Sequence, residues 1–392
     1  MAEHRRPTHL RPRLAIAGVQ VLGLAVWFSA SAVAPALRDE WGLGQVGAVA
    51  LTVSVQLGFV LGAVASAALT LADRIRPHRL LGCSAFGAAA CTVLLTTVGS
   101  AATALPLRVL TGVFLAGVYP VGMKLTTSWS GPGTRSRDLG LLIAALTLGS
   151  ALPHLLGGLA LPWRGVLLGA AATGAAAGLV ALLAVRPGPA HAPAPPPDPH
   201  YAGRMLRDRT ARLVVLGYLG HMWELYAFWT WLPDYLHAGD LPGHAVAFGA
   251  AGLAGALGCV VAGRLADRLG PVPVAIGALA VSGTCCLLSP TLVDAPPAPL
   301  VVFCCVWGAT VIADSGLFTA ALSDVVDRRY VGTALTTQTA LGFLLTAVSI
   351  PVAALAADLT GWRLALLVLL PGPVLGVWAL RGLLPRAVTL EA

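Results

Sequence analysis

The sequence predicts an all-α integral membrane protein, with twelve transmembrane helices arranged as two six-helix bundles related by a pseudo-two-fold axis. Three observations carry this: a composition too apolar for water, twelve apolar runs of spanning length, and a set of short patterns that recurs between the halves. Of 392 residues, 57% are hydrophobic, 45 are Gly, and only 11% are Asp, Glu, Lys or Arg. Ordinary soluble domains carry roughly 25% charged residues. Mean hydropathy is +0.81. Too little polar surface remains to cover a water-soluble particle, which excludes a soluble enzyme, a disordered scaffold and a nucleic-acid binder. The net charge of +8 is strung out in short clusters between apolar runs, so it reports topology and not a nucleic-acid patch. Lys124 is the only lysine and Asn is absent, the codon bias of a GC-rich, bacterial genome.

A membrane-spanning helix needs about 20 mostly apolar residues. In the first half such runs fall at 14–37, 45–71, 80–99, 102–127, 139–161 and 164–186. In the second half they fall at 212–236, 243–266, 271–290, 299–324, 330–357 and 362–384. The first run follows Arg5, Arg6, Arg11 and Arg13 and contains the small-residue string SASA, like a secretion signal, but it continues apolar through Leu37 and is read as helix one. Helix four carries Pro120, where a kink is expected. Between helices six and seven stand the Pro- and Ala-rich RPGPAHAPAPPPDPH (186–200) and the basic YAGRMLRDRTAR (201–212). The chain therefore divides into an N-terminal bundle (1–186), a linker along the membrane surface (187–211) and a C-terminal bundle (212–392).

Orientation follows from alternate loops. With the N-terminus inside, 20 of the 25 basic residues lie on the inner side, which puts both termini and the linker in the cytoplasm and the protein in the cytoplasmic membrane. The seven cysteines all lie in apolar stretches without metal-ligand spacing, so they are packing residues, and neither metal nor cofactor is expected. The partners expected are a small-molecule substrate, a coupling proton and the lipid bilayer, with the chain a monomer and no nucleic acid bound.

The halves echo one another. TLADRIRPHR after helix two corresponds to GRLADRLGPV after helix eight, and LPWRGVLL around Trp163 corresponds to TGWRLALL around Trp362. A duplicated six-helix unit is the economical reading. These patterns resemble the major facilitator superfamily over essentially the whole chain. GRLADRLG (263–270) is similar to that superfamily's loop signature G-x-L-a-D-r-x-G. In the first half, Leu69 and Arg76 replace its glycines and only the LADR core (71–74) stays. RVLTG (108–112) resembles the helix-four motif R-x-x-x-G, and the Trp163-Arg164 and Trp362-Arg363 pairs are familiar there too. The resemblance implies two bundles rocking about a midplane site, with helices three, six, nine and twelve peripheral. It implies a coupling or anion-contacting role for Arg108, and state-dependent contacts between halves for Asp73, Arg74, Asp267 and Arg268; the other reading of those four is topology-setting charge.

Ionisable groups inside a bilayer are expensive and face a cavity or one another. They lie at Arg108 in helix four, His154 in helix five, His221 and Glu224 in helix seven, and Asp314 in helix ten, with none inside the four helices expected to be peripheral. His221 and Glu224 are three apart and so share a helix face, where a carboxylate beside an imidazole exchanges a proton. Glu224 is either a coupling or substrate group or half of a structural ion pair, and His221 either joins it or bonds a backbone carbonyl. Asp314 is a second proton site or the partner of Arg108, which must meet something negative. Lys124, near the inner end of helix four, either snorkels to water or contacts substrate from the cytoplasmic side. Uncharged candidates for the cavity wall, or for ordinary packing, are Trp27, Ser31, Gln56, Tyr119, Trp307 and Gln338.

The lone lysine is not preceded by Gly, which excludes a Walker A site, and GLGQVG (42–47) follows no strand. With no H-E-x-x-H or G-x-S-x-G, no enzyme is expected. What remains is a proton-coupled secondary transporter, a small organic anion favoured by Arg108. Proton-coupled efflux of drug-like or metabolite substrates is the alternative, and a non-transporting membrane receptor is the rival of another class. GSALPHLLGG (149–158) keeps the outer glycines of the efflux motif G-x-x-x-G-P-x-x-G-G but displaces its Pro to Pro153. Helix eleven, GTALTTQTALG, lacks the Asn of the nitrate and nitrite branch.

Overall fold

A computed structural model describes residues 10–384 except 132, 158–160, 193–195 and 197; the side chains of Ser31 and His154 also lie outside the described residues, as do both chain ends. The described residues are almost wholly helical, and nine helices among them are long and apolar enough to cross a membrane. The three other expected spans are helical as well. Residues 14–37 fall on Leu10–Leu24, Ser29–Ala32 and Ala34–Trp41, residues 139–161 on Arg135–Gly157, and residues 212–236 on Arg209–Ala238. Their outward faces are inverted relative to a soluble protein. Leu183, Leu359 and Trp378 are 69%, 76% and 65% exposed, which suits a hydrocarbon solvent in place of water.

Several rods are interrupted where chemistry needs them to be. The first breaks at residues 25–28, between Leu10–Leu24 and Ser29–Ala32, leaving backbone carbonyls without helical partners. The fourth breaks between Ala101–Leu115 and Tyr119–Trp129, just before Pro120, where the kink was expected. Its repeat counterpart breaks at Asp314, between Pro297–Ala313 and Ser315–Val325. The loop signature is also legible in the backbone. Gly270 adopts φ 85°, a conformation reserved for glycine, whereas in the first half Arg76 stands at φ −55° and Thr70 supplies the left-handed turn at φ 50°.

The two halves of the chain meet through Gln45–Ala68 against Val331–Thr360 and through Arg135–Gly157 against Gly255–Leu269. The second contact depends on glycine: a Cβ on Gly140 would lie 2.5 Å from the Cys259 carbonyl oxygen. Backbones this close allow helices to slide but leave no room for a side chain. The linker, whose composition suggested a segment along the membrane surface, makes contacts with both halves. Gly188 N donates to Ser128 Oγ (2.9 Å) and Trp129 Nε1 to the Arg186 carbonyl (2.9 Å). On the other side Tyr330 Oη donates to the Pro196 carbonyl (3.1 Å) and stacks on Tyr201 at 4.3 Å. The strap thus grips both halves, and the end of the molecule it crosses is called the linker face below.

Candidate functional site

Between the halves lies a central cavity walled mostly by aromatic and apolar side chains. Phe28, Tyr119, Thr147 and Ser150 contribute from the first half, and Tyr218, His221, Tyr226, Trp229, Ser315 and Phe343 from the second. Its free space is ≈ 30 Å³, room for a water or two and for no solute. The two halves close over it through rings: Phe28 stacks on Trp229 at 5.4 Å, and Trp27 meets Phe343 at 4.8 Å.

At this wall His221 is one half of a buried pair. His221 Nδ1 lies 2.8 Å from Asp314 Oδ1, and His221 Nε2 lies 2.9 Å from Ser315 Oγ; both partners of the pair are 1% exposed. The break in helix ten explains the arrangement, because it places Asp314 and Ser315 side by side at a turn facing helix seven. Asp314 therefore partners His221, not Arg108. The aspartate–imidazole pair is electrically neutral only with one proton beyond the imidazole's own N–H, and without it a net negative charge stays buried beside the cavity.

Glu224 does not share this site. Although it stands three residues from His221, its carboxylate accepts from Trp307 Nε1 (2.6 Å), Ser282 Oγ (2.9 Å) and Cys286 Sγ (3.3 Å), fully buried within the second half. An i,i+3 pair is separated by about 60° around the helix, enough for the two side chains to meet different neighbours. Ser282 and Cys286 come from helix nine, which carries no charge and so gave no signal in the sequence. Trp307 belongs to this cage and not to the cavity wall.

Arg108 corrects a further expectation, since no acid among the described residues meets it. It is 1% exposed, and it donates from Nη2 to the Trp27 carbonyl (2.8 Å) and from Nε to the Leu51 carbonyl (3.4 Å). The broken first helix supplies the better acceptor: a carbonyl freed from the helical ladder does part of the work of a carboxylate. Gln56 and Gln338 are wholly buried, with neither amide hydrogen-bonded among the described residues.

Lys124 neither snorkels nor stands free. Its Nζ lies 2.5 Å from Asp73 Oδ1 and donates to the Ala72 carbonyl (2.9 Å). Asp73 accepts in addition from Gly332 N (3.0 Å), Thr333 N (2.8 Å) and Thr333 Oγ1 (2.7 Å). An acid of the first half thus caps the N-terminus of Val331–Thr360 in the second, where the helix dipole favours negative charge. Asp267 reaches the N-terminal turn of Arg135–Gly157 by accepting from Arg137 N at 3.2 Å, with Ser136 N contributing weakly. Arg74 and Arg268 are exposed and form no ion pair among the described residues. An Arg135–Asp324 ion pair adds a further bridge between halves. These groups surround a vestibule of ≈ 460 Å³ at the linker face, lined by Lys124, Arg135, Asp267 and Arg328 and bordered by His191 of the linker. Burial pushes the His191 imidazole below its ordinary pKa; the Lys124 charge acts the same way, and Asp73 opposes it.

Comparison with known proteins adds the following. No curated protein sequence matches the chain. Among solved structures, the human organic anion transporter MFSD10 (TETRAN) superposes with a TM-score of 0.76 at 18% identity, covering 96% of this chain and 100% of that one. The transporter FucP in its outward conformation gives 0.75 at 13% identity, covering 96% and 99%. A variant of the E. coli fucose:proton symporter FucP gives 0.74 at 12% identity with the same coverage. At such identities these likenesses concern the fold alone. The family model described as Major Facilitator Superfamily matches residues 16–350. With that match running from the first helix to the eleventh, on a fold that transporters share, the chain belongs to the Major Facilitator Superfamily.

Proposed function

We propose that this secondary transporter couples the movement of a small organic anion to a proton, by alternating access across the cytoplasmic membrane. In this reading it has twelve crossings, with the bundles 1–186 and 212–392 joined by the linker 187–211. The linker face and both termini are cytoplasmic, and the chain works as a monomer without metal or cofactor. One observation carries the coupling: the His221–Asp314 pair, wholly buried and 2.8 Å across, presents its His221 at the wall of the space between the halves. A net charge is costly there, so proton uptake and release are tied to which side the cavity faces. The buried cation Arg108 supports an anionic solute, and the names of two similar structures, an organic anion transporter and a fucose:proton symporter, agree with both parts of the reading. The aromatic wall of the cavity favours a second reading, proton-coupled efflux of drug-like or metabolite substrates. Contact-making at Asp73 and Asp267 is then the cytoplasmic gate, and His154 and Ser31 remain candidates on sequence grounds.

The test is flux in proteoliposomes loaded with a pH-sensitive dye and offered a panel of small carboxylates. Solute entry is expected to acidify or alkalinise the lumen, and Asp314→Asn is expected to abolish that pH signal while leaving solute exchange intact. A protein that binds solute yet moves none under any imposed gradient is a receptor. If coupled flux survives Asp314→Asn, the pair is not the coupling site. Glu224→Gln separates the two acids: its cage lies away from the cavity, so it is expected to lower stability and to leave the pH dependence of transport in place.

A further inference from the structure

We infer that Arg108, Trp27 and Gln56 form the recognition point for the carboxylate of an organic acid with a flat, aromatic body. The inference rests on the transport reading above and names the substrate class for it. Three side chains from three helices of the first half are 1%, 2% and 0% exposed. Each carries polar atoms with no hydrogen-bond partner among the described residues: Arg108 Nη1, Trp27 Nε1, and both amide atoms of Gln56. They lie in one neighbourhood. Arg108 holds the Trp27 carbonyl at 2.8 Å and the Leu51 carbonyl of the helix that bears Gln56. Gln56 stands one turn before Phe59, whose ring is 5.3 Å from the Trp27 indole.

Native interiors leave few buried polar groups unpaired. Unpaired donors on three such side chains, with the Arg108 guanidinium holding the backbone of Trp27 and of the helix that bears Gln56, imply a ligand that brings acceptors and a negative charge. A carboxylate brings two oxygens with about four lone-pair positions and a single charge. That charge cancels the one formal charge of Arg108, whereas a dianion leaves the site negative inside hydrocarbon. The surroundings specify the rest of the molecule. Trp27 and Phe59 of the first half press on Phe343 and Tyr226 of the second at 4.4–6.0 Å. When the halves part, these ring faces lose their partners, and a planar aromatic body replaces them.

The experiment uses the purified full-length protein and three probes: benzoate, benzamide, which lacks the charge, and acetate, which lacks the ring. Binding is read by quenching of tryptophan emission and by thermal shift. Benzoate is expected to bind at least about tenfold more tightly than either analogue, as charge-assisted bonds and ring contacts require. Arg108→Gln is expected to remove the preference for benzoate over benzamide. Because Arg108 also holds two carbonyls, Gln56→Leu and Trp27→Phe provide an independent reading, each expected to weaken benzoate by roughly 3- to 10-fold. The inference is overturned by equal binding of benzoate and benzamide, by no binding of benzoate, or by wild-type affinity in both Gln56→Leu and Trp27→Phe. Asp314→Asn distinguishes the two proposals: it should keep benzoate binding while losing pH-driven flux. Intact benzoate binding with no proton coupling in the wild type overturns the coupling reading alone.

Discussion

Asp73 and Asp267 occupy the same place in two copies of Leu-Ala-Asp-Arg, and each points an acid at the N-terminal turn of a helix in the opposite half. Their environments differ sharply. Asp73 is 3% exposed and accepts two backbone N–H bonds, a hydroxyl and the Lys124 ammonium. Asp267 is only half-buried and accepts from backbone N–H groups alone, Arg137 N at 3.2 Å and Ser136 N weakly. The repeat preserved the motif and not the partner: Lys124 is the sole lysine, and the matching stretch of helix ten, Phe318 to Ser323, carries no cation. The contacts between the halves at the linker face are therefore asymmetric, dense at Asp73 and sparse at Asp267, and in the gating reading proposed above one latch is locked and its counterpart barely engaged.

The largest expected effect follows from breaking the locked side. Asp73→Asn leaves the Lys124 ammonium buried without a counter-charge, facing a neutral amide and the Ala72 carbonyl, and turns an NH2 donor toward groups that Asp73 serves as acceptor. Removing one partner of a buried ion pair costs about 3–5 kcal/mol. The closed linker face is expected to lose population by roughly a hundredfold to several thousandfold. Electron–electron distance measurements between spin labels on Gln45–Ala68 and Val331–Thr360 would read this as a broadened, longer separation. An unchanged distance distribution would mean that Asp73 sets topology only.

Lys124→Gln is the next step down. Asp73 keeps the helix N-terminus and loses one charge-assisted bond, worth about 1.5–3 kcal/mol, so the same labels should report a smaller shift. Asp267→Asn should move the equilibrium by less than about 1 kcal/mol, as expected for a partly solvated acid held by backbone N–H groups alone. Equal effects of Asp73→Asn and Asp267→Asn would remove the asymmetry.

What the sequence reveals of all this depends on the range of the forces involved. Bilayer thickness imposes runs of about 20 apolar residues, so the helices were readable one by one, and the LADR cores marked the two acids that contact the opposite half. The site was only partly readable. Pro120 announces the break in helix four, but residues 25–28 (Ala-Val-Trp-Phe) hold neither Pro nor Gly. That break is tertiary in origin, and with it came the carbonyl that Arg108 holds in place of an acid. Ser315 gave no signal either, because a helical serine ordinarily bonds its own backbone; only the turn at Asp314 turns it to His221. Glu224 and His221 share a face by periodicity, yet dense packing gave each its own set of partners.

The smallest effect tests whether the opposite end of the molecule is independent of the latches. There Glu40 accepts from Trp163 Nε1 (2.5 Å) and Arg164 Nη2 (2.9 Å). These hydrogen bonds, the Trp163 bond first, hold its carboxyl below the usual glutamate range, while slight desolvation works against them. The sign follows directly. A carboxyl with a depressed folded-state pKa contributes stability that is present above the unfolded value of about 4.3 and lost as pH falls through the folded one. Thermal unfolding followed from pH 6 to pH 3 should therefore show a slightly flatter acid limb in Glu40→Gln than in the wild type, because solvent screens so exposed a group. Spin-label distances at the linker face should stay unchanged in that variant. A shift of those distances by Glu40→Gln would mean that the two ends are coupled, and that the asymmetry between Asp73 and Asp267 is set in part from the far side of the molecule.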